Sequence, residues 1–133
     1  MIERERIGYD FAVLRVVPRV HLGVFANVGV VVHARTAEFL ALRAVDDAAT
    51  LAALAPGIDA ELLLRYLRSW KAICAGDASA GPVALAPPSE RFHWLTSPRS
   101  DVIQSSPVHE GVCDDLPKAV DELFAAYVGR VSA

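Results

Sequence analysis

Lysine, cysteine and methionine are almost missing from this 133-residue chain, and the shortages narrow what it can do. The two cysteines, Cys74 and Cys113, stand far apart, with no CxxC and no Cys/His metal spacing. That argues against a zinc ribbon and a disulfide framework, and it reads as two reduced thiols. Lys71 and Lys118 are the lysines, so eleven of the thirteen basic residues are arginine. Net formal charge is −3, so the global basic field usual in nucleic-acid binders is lacking. Nor is there a long hydrophobic run. Val24–Ala34, the longest strongly apolar stretch, contains Asn27 and His33 and is too short to cross a bilayer. GxGxxG, Walker-type and HExxH spacings are absent too. Neither a metal nor a cofactor is expected.

What is present suffices for a folded domain. Hydrophobic residues make up 53% of the chain and charged residues 22%, a globular balance and not a disordered one. Residues 1–133 are expected to form a single domain, with 1–7 as a charged N-terminal extension. The start, Met1-Ile2-Glu3-Arg4-Glu5-Arg6, carries both signs, and no secretory-type hydrophobic region follows it. A soluble cytoplasmic protein is therefore expected. Charge is uneven: residues 1–43 hold six Arg against four acids, and residues 44–133 hold seven basic residues against twelve acids. Asymmetry this mild reads as solvated surface.

Tyr9–Val17 is apolar on both faces and rich in β-branched residues, which predicts a central or covered strand ended by Pro18. Arg15 is a charge in its apolar row. Val24–His33 predicts a second strand, with Phe25, Asn27, Gly29, Val31 and His33 on one face and Val24, Ala26, Val28, Val30 and Val32 on the other. After the short turn Arg35-Thr36-Ala37, Glu38–Arg43 predicts a third. Asp46 or Asp47 can cap a short helix to Leu54, and Ile58–Ala75 predicts a longer one stopped by Gly76. Ser89 can cap a two-turn helix carrying Phe92, Trp94 and Leu95, and Val102–Ser106 predicts a later strand. In the tail, Leu116, Ala119, Val120, Leu123, Phe124, Tyr127, Val128 and Val131 form one helical stripe behind Asp114-Asp115. The expected class is α+β: an antiparallel sheet of about four strands, a meander of three plus a later strand. Two main helices and one or two short ones pack on it.

Chemistry concentrates in Arg91–His109, where Arg91, His93, Trp94, Arg99, Ser100, Gln104, Ser106 and His109 crowd together. Two arginines among hydroxyl and amide donors suit a phosphate or a carboxylate. His93 or His109 would then have the ordinary range of an acid or base near neutral pH. The same residue types also satisfy backbone groups in any irregular segment. Arg15, Arg19, Asn27 and His33 form a second set, in which Arg15 and Asn27 can face each other on adjacent antiparallel strands. The alternative there is an arginine paired with Asp10 or Glu38. His109 and Cys113, four residues apart, invite a cysteine-nucleophile reading, which Asp114-Asp115 oppose by disfavouring a thiolate.

Tyr9-Asp10-Phe11-Ala12-Val13-Leu14-Arg15-Val16-Val17-Pro18-Arg19, Phe25-Ala26-Asn27-Val28-Gly29-Val30 and Arg91-Phe92-His93-Trp94-Leu95 recur as an ordered series with Pro98-Arg99-Ser100 and Ile103-Gln104-Ser105-Ser106-Pro107-Val108-His109. In this the chain resembles a bacterial domain-of-unknown-function family, number 3037, from about Tyr9 to Val128. The resemblance implies no activity. Some members of such families are encoded beside HipA-like kinase-fold proteins, which implies a partner role. It marks Arg15, Arg19, Asn27, Arg91, His93, Trp94, Arg99, Ser100, Gln104 and His109 as the matching positions. The leading expectation is a non-catalytic interaction or anion-binding domain. The competing one is a small enzyme on a phosphorylated or nucleotide-like substrate, with a His acid/base and an Arg clamp. Single-stranded nucleic-acid binding through Phe92 and Trp94 fits poorly with the acidic balance.

Overall fold

The β-branched, two-sided apolar stretch near the start becomes the strand around which the protein is built. The computed structural model describes residues 6–19, 24–99 and 102–128, and the side chains of Pro18, Arg19 and Val24 fall outside that description. The elements run β1 (Ile7–Arg19), β2 (Val24–Ala34), β3 (Phe39–Ala44), α1 (Ala48–Leu54), α2 (Ala60–Cys74), α3 (Pro88–Thr96), β4 (Ile103–Ser105), β5 (His109–Cys113) and α4 (Leu116–Tyr127). The sheet is antiparallel, ordered β3-β2-β1-β4, with β5 also on β1. The expected α+β class, meander and later strand are all present.

β1 has a shared outer edge. β5 pairs with Ile7–Phe11, and β4 pairs with Leu14–Val16. Ser106 bridges the two, donating its N–H to the Val13 carbonyl at 2.8 Å and accepting the Val13 N–H on its Oγ at 2.9 Å. β5 is an addition to the expected strands. Glu110 and Gly111 interrupt any apolar alternation there, and the segment pairs because β1 offers it backbone partners. Gly111 lies opposite Tyr9, and a Cβ at that position would collide with the tyrosine ring.

Pro18 does not end β1. The strand runs on to Arg19 through a register shift between Val16 and Arg19, where a residue without an N–H is tolerated. A second shift changes more. Leu14 pairs with Gly29 and Arg15 with Asn27, so Val28 is an extra residue in a β-bulge. Strict alternation would group Val28 with Val30 and Val32. Instead Val28 joins Val31 in one core, and Val30 and Val32 belong to the other. The bulge therefore places Asn27 and His33 on opposite faces. Beside it, a Cβ on Gly29 would stand 2.9 Å from the Arg43 carbonyl and 3.0 Å from the Ala44 Cβ, so β3 approaches too closely for a side chain.

Both faces of the sheet are covered. Ala12, Leu14, Val16, Val28, Val31 and Leu42 meet the helical layer of α1, α2 and α3 through Leu51, Leu63, Leu67, Trp70 and Leu95. On the other face Phe11, Val13, Val30 and Val32 meet α4 through Val120, Leu123 and Phe124. Two-sided burial is why β1 and β2 carry apolar residues on both faces. Caps set the helix starts: Asp47 accepts from the Thr50 N–H, Asp59 from Leu62 and Asp115 from Lys118. α2 thus begins at Ala60 and not at Ile58. α3 starts differently, with Pro88 in its first turn and Ser89 inside the helix instead of capping it. Val131 of the tail stripe lies outside the described residues. Among the described residues, no helix is long and apolar enough to cross a membrane.

Candidate functional site

The polar segment divides between the two faces. Its first half belongs to the helical layer. Arg91 donates to the Ala86 carbonyl at 2.5 Å, and its guanidinium packs by Gly76, which closes α2 with φ +75°. Arg99 lies over the Trp70 and Trp94 rings at 4.7 and 4.4 Å and donates to the Trp94 and Ser97 carbonyls. Arg91, Trp94 and Arg99 thus tie the connector between α2 and β4 to the helices. His93 is exposed on α3, where its own carbonyl accepts from the Ser97 hydroxyl. Ser106 is spent on the β1 edge. Ser100 and the side chain of Arg19 lie outside the described residues.

The second half of the segment turns to the α4 face. Gln104 pairs with Arg15 across β4 and β1, and Asn27 pairs with Arg15 across β2 and β1. Because paired residues share a face, Asn27, Arg15 and Gln104 form one row across three strands. The Arg15 guanidinium lies 4.4 Å from the centre of the Phe25 ring, which is half exposed. The expected pairing of Arg15 with Asp10 or Glu38 does not form. Asn27 Nδ2 donates to the Tyr127 carbonyl at 3.0 Å, at the end of α4. Among the described residues three enclosed side-chain atoms have no hydrogen-bond partner: Arg91 Nε in the helical layer, and Arg15 Nε and Asn27 Oδ1 together on this row. A buried donor or acceptor without a partner costs about 1–3 kcal/mol. That cost falls here on opposed residues of one row.

His109 reaches the same face farther along β1. It pairs with Phe11, and the two rings lie 5.4 Å apart, with Tyr127 5.8 Å from Phe11. His93 and His109 therefore sit on opposite sides of the sheet. An acid/base pair clamped by Arg91 and Arg99 is not assembled. His109 and Cys113 share a face of β5, but four residues of strand separate them by roughly 13 Å. Cys74 is a core thiol: burial pushes its pKa up to about 12, against the opposing pull of Arg91.

A second row, absent from the sequence reading as a set, crosses the helical face five residues up β1. Asp10 pairs with His33 on β2 and with Glu110 on β5, so all three side chains share a face. His33 is 7% exposed and stacks on Phe92 of α3 at 5.1 Å. Burial lowers its pKa and Arg35 adds to that, while Asp10 pulls the other way. The row lines an open depression of about 450 Å³ with Arg35, Thr36 and Val112. Its signal in the sequence was weak. In the sequence Asp10 stands only as a carboxylate for an arginine, and Glu110 has no neighbour until β5 is known to exist.

A family model described as a protein of unknown function (DUF3037) matches residues 11–128. No curated protein and no solved structure matches the chain. With nearly all of its length matched, the chain belongs to that family.

Proposed function

We propose that this DUF3037 protein is a non-catalytic binding domain that takes an anionic group of a partner at the Asn27–Arg15–Gln104 row. The observation that carries the reading is the pair of enclosed, unpartnered atoms, Arg15 Nε and Asn27 Oδ1. One is a donor that wants an acceptor, and the other is an acceptor that wants a donor. A carboxylate beside an N–H, as an acidic peptide segment offers, answers both once the side chains that enclose the two atoms move aside. The Arg15 guanidinium lies over the Phe25 ring, and an arginine so placed suits a carboxylate. Phe25 and Tyr127, 50% and 40% exposed, flank the row and supply the aromatic surface on which interfaces concentrate their affinity.

The HipA-like kinase-fold proteins suggested by the family resemblance are the first partners to try. Co-purification of the full chain with its neighbouring kinase-fold protein is the test. Arg15→Met is expected to lose at least tenfold in affinity at little cost in melting temperature, because it removes an enclosed donor that has no partner. Asn27→Leu should lose affinity too, but with a lower melting temperature, because it also deletes the bond to the Tyr127 carbonyl. A monomer that ignores both that protein and acidic peptides would sink the reading.

A further inference from the structure

The Asp10 row has a charge problem that the fold does not solve. Like charges directly opposite on antiparallel strands repel, and Asp10 stands opposite Glu110. No ion pair among the described residues neutralises either carboxylate. Arg35 lines the same depression without pairing with either acid. Beside them His33 is more than nine-tenths buried, and its side chain makes no hydrogen bond among the described residues. Neither of its ring nitrogens is among the sealed, unpartnered atoms, and the residue lines the depression. A buried imidazole with no partner and two unneutralised carboxylates thus face one space.

We infer that this depression binds a cationic nitrogen group, an alkylammonium or guanidinium carried on an aliphatic stem. Asp10 and Glu110 supply the opposing charge, and His33 accepts a hydrogen bond on a ring nitrogen. Burial keeps the imidazole in its neutral, accepting form at neutral pH. Val112, 60% exposed on the same wall, offers the stem an apolar surface. A bare metal ion is a poorer fit, because among the described residues no three His, Cys, Asp or Glu side chains are placed to hold one. The site is independent of the Arg15 row, which lies on the other face.

The test is a chemical-shift titration of the isotope-labelled full chain. The probes are the blocked amides of arginine and lysine, and spermidine, each against sodium chloride at matched ionic strength. Saturable shifts at the His33 ring and at the amides of Glu110 and Val112 are expected. Glu110→Gln and Asp10→Asn should each weaken them about tenfold, the loss of one charge-assisted hydrogen bond. Arg35→Gln should strengthen them by removing a like charge from the wall. A response to the amino-acid amides assigns the ligand as a protein side chain, and a response to spermidine alone assigns a free polyamine. Shifts that follow sodium chloride, or that survive undiminished in both acid variants, overturn the inference. Glu110 is exposed, so Glu110→Gln should retain the parent's spectrum and keep the test decisive.

Discussion

The two polar rows are built on the same strand and differ in how the fold treats them. At Arg15 the row is partly restrained: the guanidinium lies on Phe25, and Asn27 is tied to the end of α4. At Asp10 nothing restrains the charges, and two carboxylates stand opposite each other beside a buried histidine. One row leaves single enclosed atoms without partners on side chains that are otherwise held, Arg15 by a ring and Asn27 by the end of α4. The other leaves whole charges without partners at the rim of a depression. Both arrangements cost stability, and proteins tolerate such costs where binding needs them. The rows also oppose each other in charge and in face, about 17 Å apart at five residues of strand. A domain so arranged can hold two ligands of opposite sign without competition.

Ser106 joins β4 to β5 and therefore supports both rows, so Ser106→Ala should have the largest effect. It leaves the buried Val13 N–H without its partner, which is expected to cost about 1–3 kcal/mol in chemical denaturation. Loss of binding at only one row in that variant would show that the strands hold independently of the serine. Acid should separate the rows next. The folded pKa of His33 lies below its unfolded value, so the unfolded state takes up protons first as pH falls through about 6.5. Stability is therefore expected to drop below that point and to level off once the folded-state pKa is passed. Asp47 and Asp77, whose folded pKa values are lowered by bonds from Thr50 and Ser79, lose their contributions only at more acidic pH. His33→Gln should flatten the step near pH 6, and melting curves between pH 5 and 8 read it directly. The smallest effect is expected from Glu110→Gln. Removing the charge opposite Asp10 should raise stability by a few tenths of a kcal/mol, with the gain fading in salt. A loss of stability instead would mean that Glu110 has a favourable role in the fold.

Much of the fold could be read along the chain. Helix starts at Asp47 and Asp115 are local events, each an aspartate accepting an N–H three residues on, and the same signal at Asp59 moves the start of α2 past the expected Ile58. Apolar stripes show that α2 and α4 exist for the same local reason. That Arg15 and Asn27 could face each other was legible from two adjacent strands and a short connection, but the face they share was not, because the bulge at Val28 sets it. β5 was not legible. Its five residues carry a histidine, a glutamate and a glycine, and they pair only because the edge of β1 is there to receive them. The candidate site suffered most from what lies beyond the local pattern. Arg91, His93 and Arg99 sit beside Gln104 and His109 in sequence, yet β4 and β5 turn the latter pair to the face away from α3.

By itself the sequence determined the class of the fold, its central two-sided strands and the residue types available for binding. These depend on periodicity, capping and composition, which act over a few residues. Only the tertiary structure decided which polar groups meet. A single extra residue at Val28 inverts the faces of β2 below it, sending Asn27 to Arg15 and leaving His33 to Asp10. A face assignment depends on every residue between two points of a strand, so one bulge redirects all that follow.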